Sequence, residues 1–384
     1  MTGIVVEPPR SLAAQGEFAL LRAALAKRPD QPQLRLRLAR LLNEGDAFAE
    51  TVELLEGAAT TAPEFIVLGE ALFAIGANER AGAAAERAAA CAADTPTRAR
   101  ALAEQAKALL RAGAGAEAAA LLEQALELHP ASVAAFKRLA IYHLRAGEPE
   151  AALALRERIA GQGVGHARLH AARAMALAML GRGDEARAVV DLPARLYAKD
   201  LPPPEGWPDA AAFNAALEAE LLANPAIRFE RHGTASKKSW RIDSPATGEA
   251  PAVQALLGRI AEAAAAHATT LPDAPERAEL RSWCVITEGE GREQWHMHPY
   301  GWLSGGYYVA VPEAVAAGEG GAGCLGFGLP DGLIGAAAAA AFGETMVRPR
   351  TGLLTLFPSH AYHRTWPHNA QGKRICLAFD ICPV

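Results

Sequence analysis

Five cysteines in 384 residues, Cys91, Cys284, Cys324, Cys376 and Cys382, form no Cys-x-x-Cys pair and are odd in number. That excludes a zinc ribbon and a complete disulfide framework, and it fits a reducing compartment. No run of 18 apolar residues occurs outside alanine-rich stretches broken by charges, so no membrane span is expected. The opening MTGIVVEPPRSLAAQG has no basic stretch leading into a long apolar core, so a secretory signal is not expected and a cytoplasmic location is. There is also no surplus of positive charge: 38 Lys and Arg against 43 Asp and Glu leave a net charge of −5. A dedicated nucleic-acid binder needs the opposite balance, so neither nucleic acid nor membrane is expected as a partner. With 51% hydrophobic and 21% charged residues the chain has the composition of a folding protein, and its length allows two or three domains.

From about residue 12 to 190 the chain is dominated by Ala, Leu, Glu and Arg, with apolar residues at three- and four-residue spacing, which predicts helices throughout. The segments LLRAGAGAEAAALLEQAL, HLRAGEPEAALALRERI and AMLGRGDEARAVV align on one another. Gly113, Gly147 and Gly181 fall 34 residues apart, each followed five residues later by Ala118, Ala152 or Ala186. Gly76 with Ala81 forms an earlier, less regular copy, and Gly45 has no alanine at that offset. The glycine ends one helix in a left-handed turn, and the small alanine lets the next helix approach. Pro130 closes the unit. In period, turn glycine, alanine and terminal proline, residues 12–192 resemble the tetratricopeptide repeat family.

The periodicity stops at DLPARLYAKDLPPPEGWPD, where Pro202, Pro203 and Pro204 cannot sit together inside a helix. A Pro-rich linker is therefore expected at 193–207 and a second domain at 208–384. Two helical stretches, around 209–223 and 251–267, come first. From about 281 the texture becomes short β-type runs bounded by Gly and Pro: RSWCVIT, EQWHMH, LSGGYYVAV, GCLGFG, GLLTLFP and KRICLAFDI. Such a series reads as a sandwich or barrel.

Five of eleven histidines, His296, His298, His360, His363 and His368, crowd into this last part. A strand over EQWHMH projects His296 and His298 from one face, because alternate residues share a side. GLLTLF would carry His363 back beside them as a third imidazole. Three neutral nitrogen ligands suit iron, zinc or copper and leave coordination positions open. Tyr307 and Tyr308 point to opposite faces of one strand, so only one of them can reach a barrel interior. Trp295, Trp302 and Trp366 flank the histidines, either lining a substrate mouth or packing. The spacing of His360 and His368 from His363 turns them away from a shared metal.

In order, HMHP at 296–299, SGGYY at 304–308, FPSHAYH at 357–363 and Arg374 resemble the iron(II)- and 2-oxoglutarate-dependent oxygenases, over about 207–384. The resemblance implies a double-stranded β-helix of the jelly-roll or cupin-like type with flanking helices, so the whole chain is expected to be an α+β multidomain protein with an N-terminal helical solenoid. It implies Fe(II), 2-oxoglutarate and O2 as cofactor and cosubstrates, with Arg374 pairing with the distal carboxylate of 2-oxoglutarate through its guanidinium fork. It also implies that a tyrosine, Tyr307 or Tyr308, hydrogen-bonds the cosubstrate. The family pattern is His-x-Asp/Glu followed by His, and this chain has His298 where the carboxylate would stand. Either three histidines bind the metal, or His296 and His363 bind it and His298 supports them.

The expected function is hydroxylation of a protein or peptide recruited by the repeat array, since such arrays offer a concave binding surface. Two other readings stay open: a three-histidine metalloenzyme that does not use 2-oxoglutarate, and a catalytically inactive repeat adaptor. Gly321-Ala-Gly323-Cys-Leu-Gly326 fits G-x-G-x-x-G but lies between β-type runs and opens no helix, so a dinucleotide site is not expected.

Overall fold

A computed structural model describes residues 3–7 and 14–384, so residues 12 and 13 of the expected repeat domain lie outside the described residues. The contacts divide the chain in two. The described residues from 14 to Gly165 form one unit, and Gly3–Val6 joins His166–Val384 in the other.

The first unit is helical from end to end: Ala14–Lys27, Pro32–Glu44, Phe48–Leu55, Ala62–Ala74, Asn78–Cys91, Thr95–Ala112, Gly115–Leu128, Val133–Ala146 and Pro149–Gly161. The repeat logic acts at the turns. Gly76, Gly113 and Gly147 take φ of 82°, 83° and 76°, a left-handed conformation that a Cβ disfavours. Ala81, Ala118 and Ala152 are fully buried where successive helices meet. The irregular copy differs in detail, because Gly45 has φ −85° and Asp46 takes the left-handed turn at φ 59°. Asp94 and Ser132 cap the helices that follow them by accepting from the main-chain N–H of Thr97 and Ala135. A buried ion pair, Arg35 Nε to Glu64 Oε1 at 2.7 Å, joins the helices Pro32–Glu44 and Ala62–Ala74. Glu64 also accepts from the Thr60 and Thr61 amides at 3.0 Å, so its carboxylate is neutralised on all sides.

The second unit contains eleven strands among the described residues: β1 (Gly3–Val6), β2 (Tyr197–Asp200), β3 (Arg228–Phe229), β4 (Ser236–Ile242), β5 (Arg277–Glu293), β6 (Leu303–Ala310), β7 (Leu325–Phe327), β8 (Thr345–Val347), β9 (Leu353–Pro358), β10 (His363–Thr365) and β11 (Lys373–Pro383). The larger sheet runs β2-β9-β6-β11-β5-β4-β3 with β1 added in parallel to β5, and the smaller runs β10-β7-β8. All the other pairings are antiparallel. The fold is the expected one: helical repeats, then a double-stranded β-helix with flanking helices.

Period-2 alternation decides what each face of the large sheet meets. Ile375, Leu377, Phe379 and Ile381 of β11 join Leu303, Tyr307 and Val309 of β6 and Leu354 and Leu356 of β9 in one core. Against them pack Phe213, Leu217 and Leu221 of the helix Ala210–Leu222, and Val253, Leu256 and Ile260 of Pro251–Ala268. Arg374, Cys376 and Ala378 of β11, Gly306 and Tyr308 of β6, and Thr355 and Phe357 of β9 instead line a cavity on the opposite face.

Two segments differ from the sequence expectation. The stretch read as a linker contains β2, which pairs with the edge of β9, so Leu354–Leu356 is paired on both sides. The helices Ala167–Met179 and Gly183–Val190, read as the last repeat, belong to the unit of the β-sheets and contact the short helices Asp331–Ile334 and Ala336–Phe342. Their turn keeps the repeat chemistry, with Gly181 at φ 75° and Ala186 fully buried. The segment Gly321–Gly326 opens no helix and leads into β7.

Candidate metal centre

His296 and His363 face each other across a single antiparallel bridge, each donating its main-chain N–H to the other's carbonyl, at 3.0 and 2.9 Å. EQWHMH is therefore not a regular strand. It is held by this bridge and by the His298 amide, which donates to the Ser359 carbonyl at 2.9 Å. The shared face predicted for His296 and His298 survives, with ring centroids 5.3 Å apart and the planes 26° from parallel. His363 completes the cluster, 4.1 Å from the His296 ring and 5.0 Å from that of His298. One nitrogen from each of the three lies within 4.8 Å of the others.

The hydrogen bonds fix the tautomers. His296 Nδ1 donates to the Gln294 carbonyl at 2.7 Å, and His363 Nδ1 donates to the Ala361 carbonyl at 3.0 Å. His298 Nδ1 donates to the Asp380 carboxylate. With each Nδ1 carrying the proton, each Nε2 keeps its lone pair for a metal, the arrangement usual for metal-binding histidines. Burial also favours the neutral form of His296 and His363. It pushes His296 down to about 3, with His298 adding to the effect, and holds His363 well below the ordinary imidazole range. Three preoriented imidazole nitrogens, those of His298 and His363 buried and that of His296 partly so, are a donor set that fits a borderline divalent cation such as iron.

The same cavity, about 60 Å³ in volume, contains Arg374 and Tyr308. Arg374 is 2% exposed, donates from Nη1 to the Gly323 carbonyl at 2.8 Å and has a buried Nε without a partner. Tyr308 is 3% exposed, and burial raises its phenol above the ordinary range, so it stays protonated as a donor. Tyr307 points the other way, into the core between sheet and helices, where its hydroxyl donates to Asn214 Oδ1 at 3.0 Å. The structure thus brings five of the six expected site residues to one cavity and places Tyr307 behind the sheet.

His360 donates from Nε2 to the Val189 carbonyl and His368 from Nε2 to the Thr287 carbonyl, so neither joins the cluster. The tryptophan lining the cavity is Trp283. Trp295 and Trp366 instead sandwich the Arg364 guanidinium, at 4.4 and 3.8 Å. Sequence reasoning missed Asp380, Ser304, Ser359 and Glu293. Ser304 donates to Asp380 at 2.6 Å and lies 2.7 Å from the Ser359 hydroxyl. Glu293 lines the cavity with its carboxyl raised by burial. The signal for Asp380 was alternation along β11: Arg374, Cys376, Ala378 and Asp380 share a face.

Residues 281–380 match the family model described as "Putative 2OG-Fe(II) oxygenase". The chain therefore carries a 2OG-Fe(II) oxygenase family domain. The three histidines, Arg374, Tyr308 and Asp380 all lie inside the matched span of that domain. Residues 109–176 match a tetratricopeptide repeat model. Among curated proteins none matches the chain. Solved structures similar to parts of it include a Pseudomonas putida prolyl-4-hydroxylase, 18% identical over 54% of this chain and 99% of that one, with a TM-score of 0.36. YrrB, titled a TPR protein with an unusual peptide-binding site, is 15% identical over 44% of this chain and 89% of its own, with a TM-score of 0.34. No helix among the described residues is long and apolar enough to cross a membrane.

Proposed function

We propose that this chain is an iron(II)- and 2-oxoglutarate-dependent oxygenase that hydroxylates a protein or peptide recruited by its repeat array. The observation that carries the reading is the convergence, in one buried cavity, of three imidazoles with free Nε2 lone pairs and an arginine with an unpaired Nε. His296, His298 and His363 hold the iron, which supplies the redox chemistry that couples conversion of 2-oxoglutarate and O2 to succinate and CO2 with insertion of one oxygen atom into a substrate C–H bond.

The chain's own residues bind, orient and exclude. Arg374 pairs with the distal carboxylate of 2-oxoglutarate, a partner for which a planar fork of donors is suited. Tyr308, on the neighbouring strand and kept protonated, donates a hydrogen bond to the same cosubstrate. Phe357, Leu325 and Val285 line the cavity and keep bulk water from the reacting atoms. The repeat array presents a surface for an extended peptide, the role such arrays commonly serve.

The test is anaerobic titration of the iron(II)-loaded protein with 2-oxoglutarate. The expected result is a visible metal-to-ligand charge-transfer band that grows and saturates at one equivalent. A metal-loaded protein that binds no 2-oxoglutarate would sink the cosubstrate assignment and leave a three-histidine metalloenzyme; failure to bind iron would leave the adaptor reading.

A further inference from the structure

All three side chains of the cluster are imidazoles, so a divalent ion held there meets no negatively charged ligand. The His-x-Asp/Glu pattern provides one, and this chain has a histidine at that position. The three imidazoles are not supported alike: His296 and His363 rest on main-chain carbonyls, and His298 alone rests on a carboxylate, that of Asp380. Asp380 is itself held in place. Its Oδ1 also accepts from Ser304, whose hydroxyl in turn accepts from Ser359, and its side chain is 16% exposed. Among the described residues no arginine or lysine pairs with it.

Resting on the oxygenase reading of the site, we infer that Asp380 is the positioning residue that supplies, through the imidazole of His298, the negative charge that the ligands themselves lack. The carboxylate of the usual pattern is displaced outward by one imidazole ring. A divalent ion with three neutral ligands has a local charge of +2, and Asp380 reduces it to +1, the value that a directly bound carboxylate would give. The sheet separates the two functions of β11. Arg374 and Asp380 lie six residues apart on one face, about 20 Å along an extended strand. The cationic end of the row serves the cosubstrate and the anionic end serves the metal.

Removing the charge of Asp380 should act with opposite sign in two backgrounds. Asp380→Asn keeps the shape and still offers an acceptor to His298 but removes the charge. In the otherwise unchanged chain it should weaken Co(II) and Fe(II) binding by about 10- to 100-fold, the range found for outer partners of metal ligands, and raise the Fe(III)/Fe(II) potential. His298→Asp brings a carboxylate to the ion directly, yet places it beside Asp380, and two like charges in one buried site oppose each other. That variant should bind metal poorly, and adding Asp380→Asn to it should restore binding. Ser304→Ala, which leaves the charge and removes one support, should have a smaller effect than Asp380→Asn.

The experiment measures Co(II) dissociation constants, the visible Co(II) spectrum and the Fe(III)/Fe(II) potential for the full-length chain and these variants, with thermal melts as the folding control. A sign reversal between the two backgrounds supports the inference. Equal affinity and potential with and without Asp380→Asn, or an equal loss in both backgrounds, overturns it. Wild-type protein that binds no metal, or His296→Ala and His363→Ala proteins that bind it fully, would instead overturn the reading of the site and the inference with it.

Discussion

Arg374 leaves its Nε buried and unpaired, and a buried donor in that state lacks the hydrogen bond that would offset its desolvation. A carboxylate arriving in the cavity satisfies it. Truncation by Arg374→Ala should therefore weaken 2-oxoglutarate binding by roughly 2–5 kcal/mol, about 30- to several-thousand-fold, as for other buried charge pairs. Iron affinity should hardly change, because the guanidinium is not a ligand. Arg374→Lys should recover only part of the loss, since a point charge does not reproduce the fork. An unaltered 2-oxoglutarate dissociation constant for Arg374→Ala would show that β11 does not form the cosubstrate pocket. The adjacent tyrosines give a paired test. Tyr308→Phe should weaken cosubstrate binding with little change in stability. Tyr307→Phe removes the bond to Asn214 and leaves that buried amide short of a partner, which should cost about 1–3 kcal/mol of stability with the 2-oxoglutarate dissociation constant unchanged. Isothermal titration and thermal melts of the two variants check both halves.

Among the elements, the loop after β9 ties the site to the helix Gly183–Val190 through the bond from His360 to the Val189 carbonyl. Burial pushes the His360 imidazole down to about 4, with His170 adding to the effect. Its value in the unfolded chain is about 6.5. Above that pH both states are neutral there and the group adds no pH dependence. As the pH falls from 6.5 towards 4, the unfolded chain takes up a proton that the folded chain refuses, so stability falls with a slope of at most about 1.4 kcal/mol per pH unit. His296 and His363 act in the same window, so His360→Gln should lessen the slope of the stability profile between pH 6.5 and 4 without abolishing it. A profile parallel to that of the wild type would show that His360 makes no contribution to it. β6 carries a steric constraint of its own: a Cβ at Gly305 would strike the Thr355 carbonyl oxygen and the Phe379 ring. Gly305→Ala should thus displace β6 from β9 and lower the melting temperature sharply, through strain in the sheet that contains Tyr308.

How much of these elements the sequence made legible follows from how local each cause is. The left-handed turns at Gly113 and Gly147 and the buried Ala118 and Ala152 depend on neighbours within one repeat, and the 34-residue spacing made them readable. The alternation of β6 and β11 was equally readable, and it placed Tyr307 and Tyr308 on opposite faces; which face held the cavity depended on the helices Ala210–Leu222 and Pro251–Ala268 covering the other. β2 was not legible, because YAKD next to three prolines has little strand character and forms a strand only because β9 offers it an edge. Asp380 was missed for a related reason. A lone aspartate near the end of a strand acquires meaning only when His298, 82 residues away, is brought against it.

At the scale of the whole molecule, the contacts place every residue of the metal cluster in the unit His166–Val384, together with Gly3–Val6. Within that unit Met297, between the two histidines of His-x-His, packs on Ala167 and Ala171 of the helix Ala167–Met179. A chain beginning at His166 keeps this support and keeps β2 but loses β1, which pairs with Arg277–Leu280 of β5; with the metal cluster intact it should still bind iron and 2-oxoglutarate as the full chain does. One beginning at Trp207 loses the helix, the Val189 partner of His360, and β2, which leaves the edge of β9 unpaired. An unpaired, buried-type edge invites association with another chain, so this shorter form should melt lower and aggregate sooner even where the metal ligands are all present. Comparing the chain from His166 with the full chain also isolates the repeats. If the repeat array recruits the substrate, the chain from His166 should turn over the protein or peptide substrate with a raised KM and a nearly unchanged kcat, because the interactions removed are those made equally in the ground and transition states. A lowered kcat with KM preserved would mean that the array shapes the reacting site instead, and kinetics identical to those of the full chain would remove the recruiting role altogether.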